Sequence, residues 1–257
     1  MKKYITALAA GIILCGVCYS QDAASIIDSS RNRLTYTTIS TRSQMVISSK
    51  SGSTSERLID QYSKDGPNGN RVVIVFQSPA SVAGTRFLTM ANKTGPDDSW
   101  IYLPALDKVR RIASQEGSSS FMGTDLSYDD ISSVDRKADK DTHTLLREES
   151  LNNAPCYVIQ SIPKDSSYQY SKMISWIDKT TKVCGKMELY DKKGSLVKTF
   201  EILQLKDVDG RLSPWVSKMT TISAGTSTTI NVNILKYDAP VPESVFTTNY
   251  LQTGKAN

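Results

Sequence analysis

The residues from Arg71 to Gln77 are apolar on both faces of an extended chain, Val72, Ile74 and Phe76 alternating with Val73 and Val75. Arg86 to Ala91 and Ser99 to Leu103 share this property. A sheet wetted on one side has no use for such strands, whereas a sheet covered on both sides does. The pattern therefore predicts an inner face lining an apolar cavity and an outer face partly covered by helices. The closing strand is different: Ile230, Val232 and Ile234 oppose Asn231 and Asn233, so one of its faces stays wet.

Extended segments recur along the whole chain. Ile39, Thr41, Ser43, Met45 and Ile47 share one face, and Ser55 to Tyr62 pairs with them across the loop at 48–54. In the second half the pattern gives His143 to Ser150, Ala154 to Pro163, Ser171 to Asp178, Val183 to Tyr190, Leu196 to Val208, Leu212 to Thr221 and Thr226 to Tyr237. The intervening Asp178-Lys179-Thr180-Thr181, Asp191-Lys192-Lys193-Gly194 and Asp207-Val208-Asp209-Gly210 are hairpin-closing turns. About eleven antiparallel strands are expected. With 39% hydrophobic and 22% charged residues the chain can bury a sizeable core. The net charge of +5 falls to +3 without Lys2 and Lys3 and is spread without a block, which argues against nucleic-acid binding.

The stretch from Asp98 to Val134 organises the rest. Trp100 to Leu103 and Lys108 to Ile112 flank the turn Pro104 to Asp107 and form a hairpin. After a Ser/Gly-rich bridge, Thr124 or Asp125 can cap a short helix that places Leu126, Tyr128, Ile131 and Val134 on one face. We expect Phe121, Met122 and this helix to lie across the concave face of the sheet as a lid. Trp100 and Tyr102 point to one side of their strand, Ile101 and Leu103 to the other. The aliphatic pair suits the cavity wall, and the aromatics suit packing beneath an outer helix.

Lys2 and Lys3 precede an apolar run from Ile5 to Val17 that is short for a membrane span, and Cys18-Tyr19-Ser20 offers a signal-peptidase site before Gln21. A lipoprotein leader acylated at Cys18 is the second reading. Asp22 can cap a helix through Ala23, Ile26 and Ile27 that covers one end of the core. Cys156 and Cys184 lie on strands separated by one hairpin in an exported chain; a disulfide and a pair of buried thiols both fit. No metal set accompanies them. Enzyme motifs are lacking: one histidine, His143, no nucleophile elbow, no zinc pair and no phosphate-cradling glycine loop. The paired acids Asp97-Asp98 and Asp129-Asp130 fit turn or helix-start positions. No cofactor is expected.

Trp100-Ile101-Tyr102-Leu103-Pro104-Ala105-Leu106, Val109-Arg110-Arg111-Ile112, Ser120-Phe121-Met122-Gly123-Thr124-Asp125 and Ser127-Tyr128-Asp129-Asp130 together closely resemble the signature of the outer membrane lipoprotein-sorting, LolA-like family. The resemblance extends over most of the chain, through Tyr170 to Asp178, Tyr190 to Gly194 and Pro242 to Tyr250. It implies residues 1–20 as signal peptide and 21–257 as one LolA-like domain, a half-open antiparallel β-barrel with helices as a lid over an apolar cavity. It further implies a periplasmic, non-catalytic carrier of lipoprotein acyl chains or lipids, with an inner-membrane transporter as donor and an outer-membrane acceptor. A sensor of lipid or misfolded envelope protein, acting through a protein partner, is the alternative on the same fold.

Overall fold

The computed structural model describes residues 22–66, 68–93, 95–132 and 136–256. Thirteen strands form one antiparallel sheet. The first six are β1 (Thr38–Ser48), β2 (Thr54–Gly66), β3 (Gly69–Ser78), β4 (Arg86–Met90), β5 (Asp98–Leu103) and β6 (Lys108–Arg111). The other seven are β7 (Asp141–Leu151), β8 (Ala154–Pro163), β9 (Lys172–Asp178), β10 (Cys184–Tyr190), β11 (Leu196–Val208), β12 (Arg211–Thr221) and β13 (Thr226–Tyr237). Their order is β6-β5-β4-β3-β2-β1-β13-β12-β11-β10-β9-β8-β7. Neighbours in sequence are thus neighbours in space except β6 and β7, and β13 returns to pair with β1. The sheet does not close: β6 and β7 are its two edges, and the chain between them leaves the sheet.

This is the incomplete antiparallel barrel that the family resemblance implies, with thirteen strands in place of about eleven. Each of the thirteen coincides with a segment whose pattern reads as extended, including the short β4 and β6. Turn chemistry fixes the register where it is sharpest. Val208 pairs with Arg211, and the two residues between them, Asp209 and Gly210, take φ of 53° and 74°, as a two-residue hairpin requires.

Both faces of the first half are covered. Val72, Ile74, Phe76, Phe87 and Ile101 face a concave cluster that also takes in Met45, Ile59, Met173, Leu189 and Met219. Val73, Val75, Leu88 and Tyr102 face the other way, against Val241, Val245, Phe246 and Leu251 of the C-terminal segment. That segment ends in helix α3 (Thr248–Thr253) and is strapped down by Glu243, which accepts from Arg71 at 2.7 Å and pairs with Lys64. These two cations hold the Glu243 carboxyl down at about 2. The two-sided apolar pattern of β3 to β5 is therefore explained strand by strand.

Helix α1 (Ala23–Arg31) buries Ala23, Ile26 and Ile27 against Ile159 of β8 and Ile177 of β9. Asp22 occupies its N-cap position, but its side chain makes no capping hydrogen bond. The expected leader, including Cys18 and the cleavage site before Gln21, lies outside the described residues. So does Val134.

The disulfide reading is corrected. Cys156 and Cys184 are both free thiols. Register explains why: Cys156 lies with Val158 and Trp176 on one face of the sheet, whereas Cys184 packs with Ile159 and Ile177 on the other. Two side chains on opposite faces cannot bring their sulfurs together. Burial pushes the Cys156 thiol up and the half-buried Cys184 thiol up to about 11, so both behave as packing groups. His143 is also structural, its ring nitrogens lying 2.8 Å from Ser161 Oγ and 2.8 Å from the Ala138 carbonyl.

Candidate functional site

Residues 112–132 cross the concave face as a plug. Its tip is a miniature hairpin: Ser120 and Ser127 form a β-bridge, and Thr124 N–H donates to the Phe121 carbonyl at 3.0 Å. Between them Met122 and Gly123 both adopt positive φ, 52° and 74°, the conformation of a type I′ turn. Glycine adopts it freely, and the turn aims Phe121 at the sheet. Helix α2 (Tyr128–Ser132) follows. Its cap is Ser127, not Thr124 or Asp125: Asp130 N–H donates to Ser127 Oγ at 3.0 Å, and Ser127 N–H to Asp130 Oδ2 at 2.8 Å. That reciprocal pair satisfies two helix-end donors and starts the helix at Tyr128, leaving Leu126 outside it.

Phe121 is fully buried. Its ring lies 5.7 Å from Phe76, 5.1 Å from Phe87 and 5.5 Å from Tyr128, the last two edge-on. Leu126 and Tyr128 are buried in the same cluster, and Met122, Ile131 and Leu103 pack at its margin. Ile101 faces this cluster too, while Trp100 and Tyr102 lie on the outer face under the C-terminal segment. Seven of the nine candidate residues, Ile101, Leu103, Phe121, Met122, Leu126, Tyr128 and Ile131, thus meet in one cluster. Trp100 and Tyr102 do not join them.

Where an open apolar cavity is expected, the plug's own side chains occupy the concave face. A cleft of about 230 Å³ beside the plug is lined by Ile47, Ser48, Gly123, Asp125 and Thr226. Farther along the wall, apolar residues stay half-exposed. Ile202 and Ile230, aligned through Ser217 across β11, β12 and β13, and Phe200 in the next row are half-exposed, whereas their neighbours Met45 of β1 and Met219 of β12 are buried. Half-covered apolar surface therefore adjoins the plug.

Three of the polar attachments that fix the plug lie on the concave wall, and a fourth, the Glu116–Arg110 ion pair at 2.9 Å, lies at the sheet edge. Asp125 is buried, and its carboxylate accepts from Thr221 Oγ1 at 2.6 Å, from Thr226 Oγ1, and from Thr228 Oγ1 at 2.8 Å. Arg57 of β2 donates to the Met122 carbonyl, with its guanidinium 5.8 Å from the Phe76 ring centre. Burial lowers the Arg57 pKa. Asp130 pairs with Lys198 of β11 at 2.8 Å and accepts from Tyr170 Oη at 2.8 Å and Gln169 Nε2 at 3.1 Å. Burial, reinforced by Asp130, drives the Tyr170 phenol far upward. Asp129 is raised to about 6, first by burial and then by Asp130 and Asp97.

Arg57, Lys198, Asp125, Asp130 and Tyr170 are the site residues that pattern reading misses. A signal for two of them exists in the strands. Arg57 precedes Ile59 and Lys198 precedes Phe200 at inward-facing positions, where a charge breaks an apolar alternation.

A family model described as an uncharacterized protein family matches residues 68–253. Among solved structures, a domain from Vibrio parahaemolyticus named for outer membrane lipoprotein sorting superposes with TM-score 0.84 at 30% identity, covering 90% of this chain and 98% of that one. The chain belongs to the LolA-like outer membrane lipoprotein-sorting family. A DUF1329 family protein from Desulfovibrio piger is equally similar to this LolA-like chain, with TM-score 0.84, 30% identity and coverage of 89% and 97%. A LolA superfamily protein from Nitrosomonas europaea shares the fold at TM-score 0.70 and 20% identity, covering 89% of this chain and 98% of its own. No curated protein matches the chain.

Proposed function

We propose that this LolA-like protein is a periplasmic, non-catalytic carrier. In this reading it takes acyl chains of lipoproteins or lipids onto its concave face and moves them toward the outer membrane. The observation that carries the reading is the plug: apolar side chains seated on an apolar concave wall, but tethered to it through a few polar contacts. A withdrawn plug opens a surface that water wets poorly and that an acyl chain suits.

Magnitudes support the exchange. Removing Phe121, Leu126, Tyr128 and Ile131 from the wall costs about 1.5–3 kcal/mol each, or roughly 6–12 kcal/mol in all. An acyl chain returns ~0.8 kcal/mol per buried methylene, so about 8–15 methylenes balance the loss. One long chain is enough to hold the plug out, and a short one is not. Release then needs a competitor, either the plug itself or a tighter acceptor. The names of relatives that refer to lipoprotein sorting agree with this role. An inner-membrane transporter as donor and an outer-membrane acceptor complete the route.

The test is mass spectrometry of organic extracts from natively purified mature protein. Co-purifying lipid or acyl species at a stoichiometry near one per protein are expected. A lipid-free extract from protein purified without detergent, together with failure to take up any added acyl chain, would overturn the proposal.

A further inference from the structure

The three wall attachments of the plug differ in what they leave behind when it withdraws. The Asp125 cage consists of neutral hydroxyls, and Arg57 meets a neutral carbonyl. Of these three, the Asp130 contact alone joins a full negative charge on the plug to a full positive charge on the wall; the other plug-to-sheet ion pair, Glu116 with Arg110 of β6, is solvent-exposed and leaves no buried charge behind when it parts. Three of the donors to the Asp130 carboxylate belong to the wall: Lys198 Nζ on β11, and Tyr170 Oη and Gln169 Nε2 just before β9. The Tyr170 side chain is almost wholly buried, and the Lys198 side chain is 15% exposed. These donors converge on one point, and that point adjoins apolar surface. Lys198 pairs in register with Leu189, and Tyr170, Met187, Leu189 and Val197 belong to or pack against the concave cluster.

A ligand that expels the plug by filling its place with hydrocarbon also removes Asp130. That leaves an ammonium, a phenol and an amide without their acceptor in a site kept dry by acyl chain, which is costly for all three and most for the cation. An uncharged ligand head leaves the ammonium uncompensated. An anionic head restores what Asp130 supplied.

Resting on the carrier reading above, we propose that Lys198, Tyr170 and Gln169 form the seat for the anionic head, carboxylate or phosphate, of an acyl ligand. Asp130 fills that seat in the closed protein as a built-in competitor. Selectivity for acidic lipids and plug opening are then one event: the head takes the seat as the chain takes the wall.

The experiment compares two fluorescent probes with the same long acyl chain, one ending in a free carboxylate and one in its methyl ester, titrated against the full mature protein near pH 7.5. A free phosphomonoester of the same chain reports whether phosphate is held as well as carboxylate. The wild-type protein is expected to bind the carboxylate at least tenfold tighter than the ester. Lys198→Met should reduce that preference below twofold while leaving ester binding within a few fold, and Lys198→Arg should retain it. Asp130→Asn, which removes the competitor, should tighten the carboxylate probe more than the ester. Because Lys198→Met leaves the Asp130 carboxylate buried without its cation, the double variant with Asp130→Asn serves as the stable background and should show no preference. Equal wild-type affinity for the two probes, or a preference that survives loss of Lys198, overturns the headgroup seat and leaves the carrier reading standing. Uptake of neither probe overturns both.

Discussion

Truncation of Phe121 separates a plug from an ordinary piece of core. The side chain is fully buried and touches three aromatic rings, two on the sheet and one on the plug. Replacing a buried Phe by Ala costs about 3–5 kcal/mol. In a protein whose plug docks and undocks as a unit, that cost falls on docking, because the sheet register and the C-terminal strap do not depend on Phe121. At 1.4 kcal/mol per factor of ten, the docked-to-withdrawn ratio drops by roughly 10²–10³-fold or more. Phe121→Ala, or the paired Phe121→Ser and Met122→Ser, should therefore strongly increase binding of a hydrophobic dye while the far-UV CD of the sheet is unchanged. Loss of the β signal, or a single cooperative collapse with no rise in dye binding at 25 °C, would refute the reasoning and make Phe121 common core.

Three further outcomes are expected. Asp129, raised from an ordinary carboxylate value to about 6 by burial and then by Asp130 and Asp97, favours the docked plug when protonated; that contribution is fully present below about pH 4 and lost as pH rises through about 6. Dye binding should accordingly be lower at pH 5 than at pH 7.5, and Asp129→Asn should flatten this profile. Asp125→Ala removes a carboxylate that accepts from three threonines, each bond to a charged group being worth about 1.5–3 kcal/mol net of context, so hydrogen exchange across residues 119–127 should accelerate well before exchange in β2 or β3 does. Thiol titration should find Cys156 and Cys184 unbonded and slow to react in the native protein and rapid in denaturant, since both are packing groups of raised pKa on opposite faces.

The fold was legible because its signals are local and repeated. Alternation with Asp/Gly turns located every strand of the second half to within a residue or two, as Ala154–Pro163 and Thr226–Tyr237 illustrate. Two-sided apolar strands announced a sheet covered on both faces, and the aliphatic and aromatic residues of β5 separated as strand geometry requires. What pattern could not supply was pairing at a distance. Asp125 looks like a helix cap until Thr221, Thr226 and Thr228, about a hundred residues away, are brought around it. Lys198 reads as a surface lysine until the curved sheet sets it against Asp130. The two cysteines failed to bond for a related reason: register, not separation in sequence, decides which face each occupies. An open cavity was expected where the concave face is filled by residues 112–132, because a sequence shows the apolar residues of wall and plug without saying that they meet.

The central claim is that the concave wall exchanges the plug for an acyl chain without cutting it. Its most direct test is a titration of purified mature protein with a fluorescent acyl probe, in the wild type and in variants of the strand beneath the plug. Saturable uptake is predicted for the wild type and for Trp100→Phe, whose side chain lies on the outer face, and uptake should be abolished when Ile101 and Leu103 are replaced by Glu on the concave face. The probe should be recovered intact. Absence of uptake by the wild type, equal uptake by the Glu variant in its folded form, or recovery of hydrolysed probe with an activity that disappears on mutation of a single carboxylate would contradict the account.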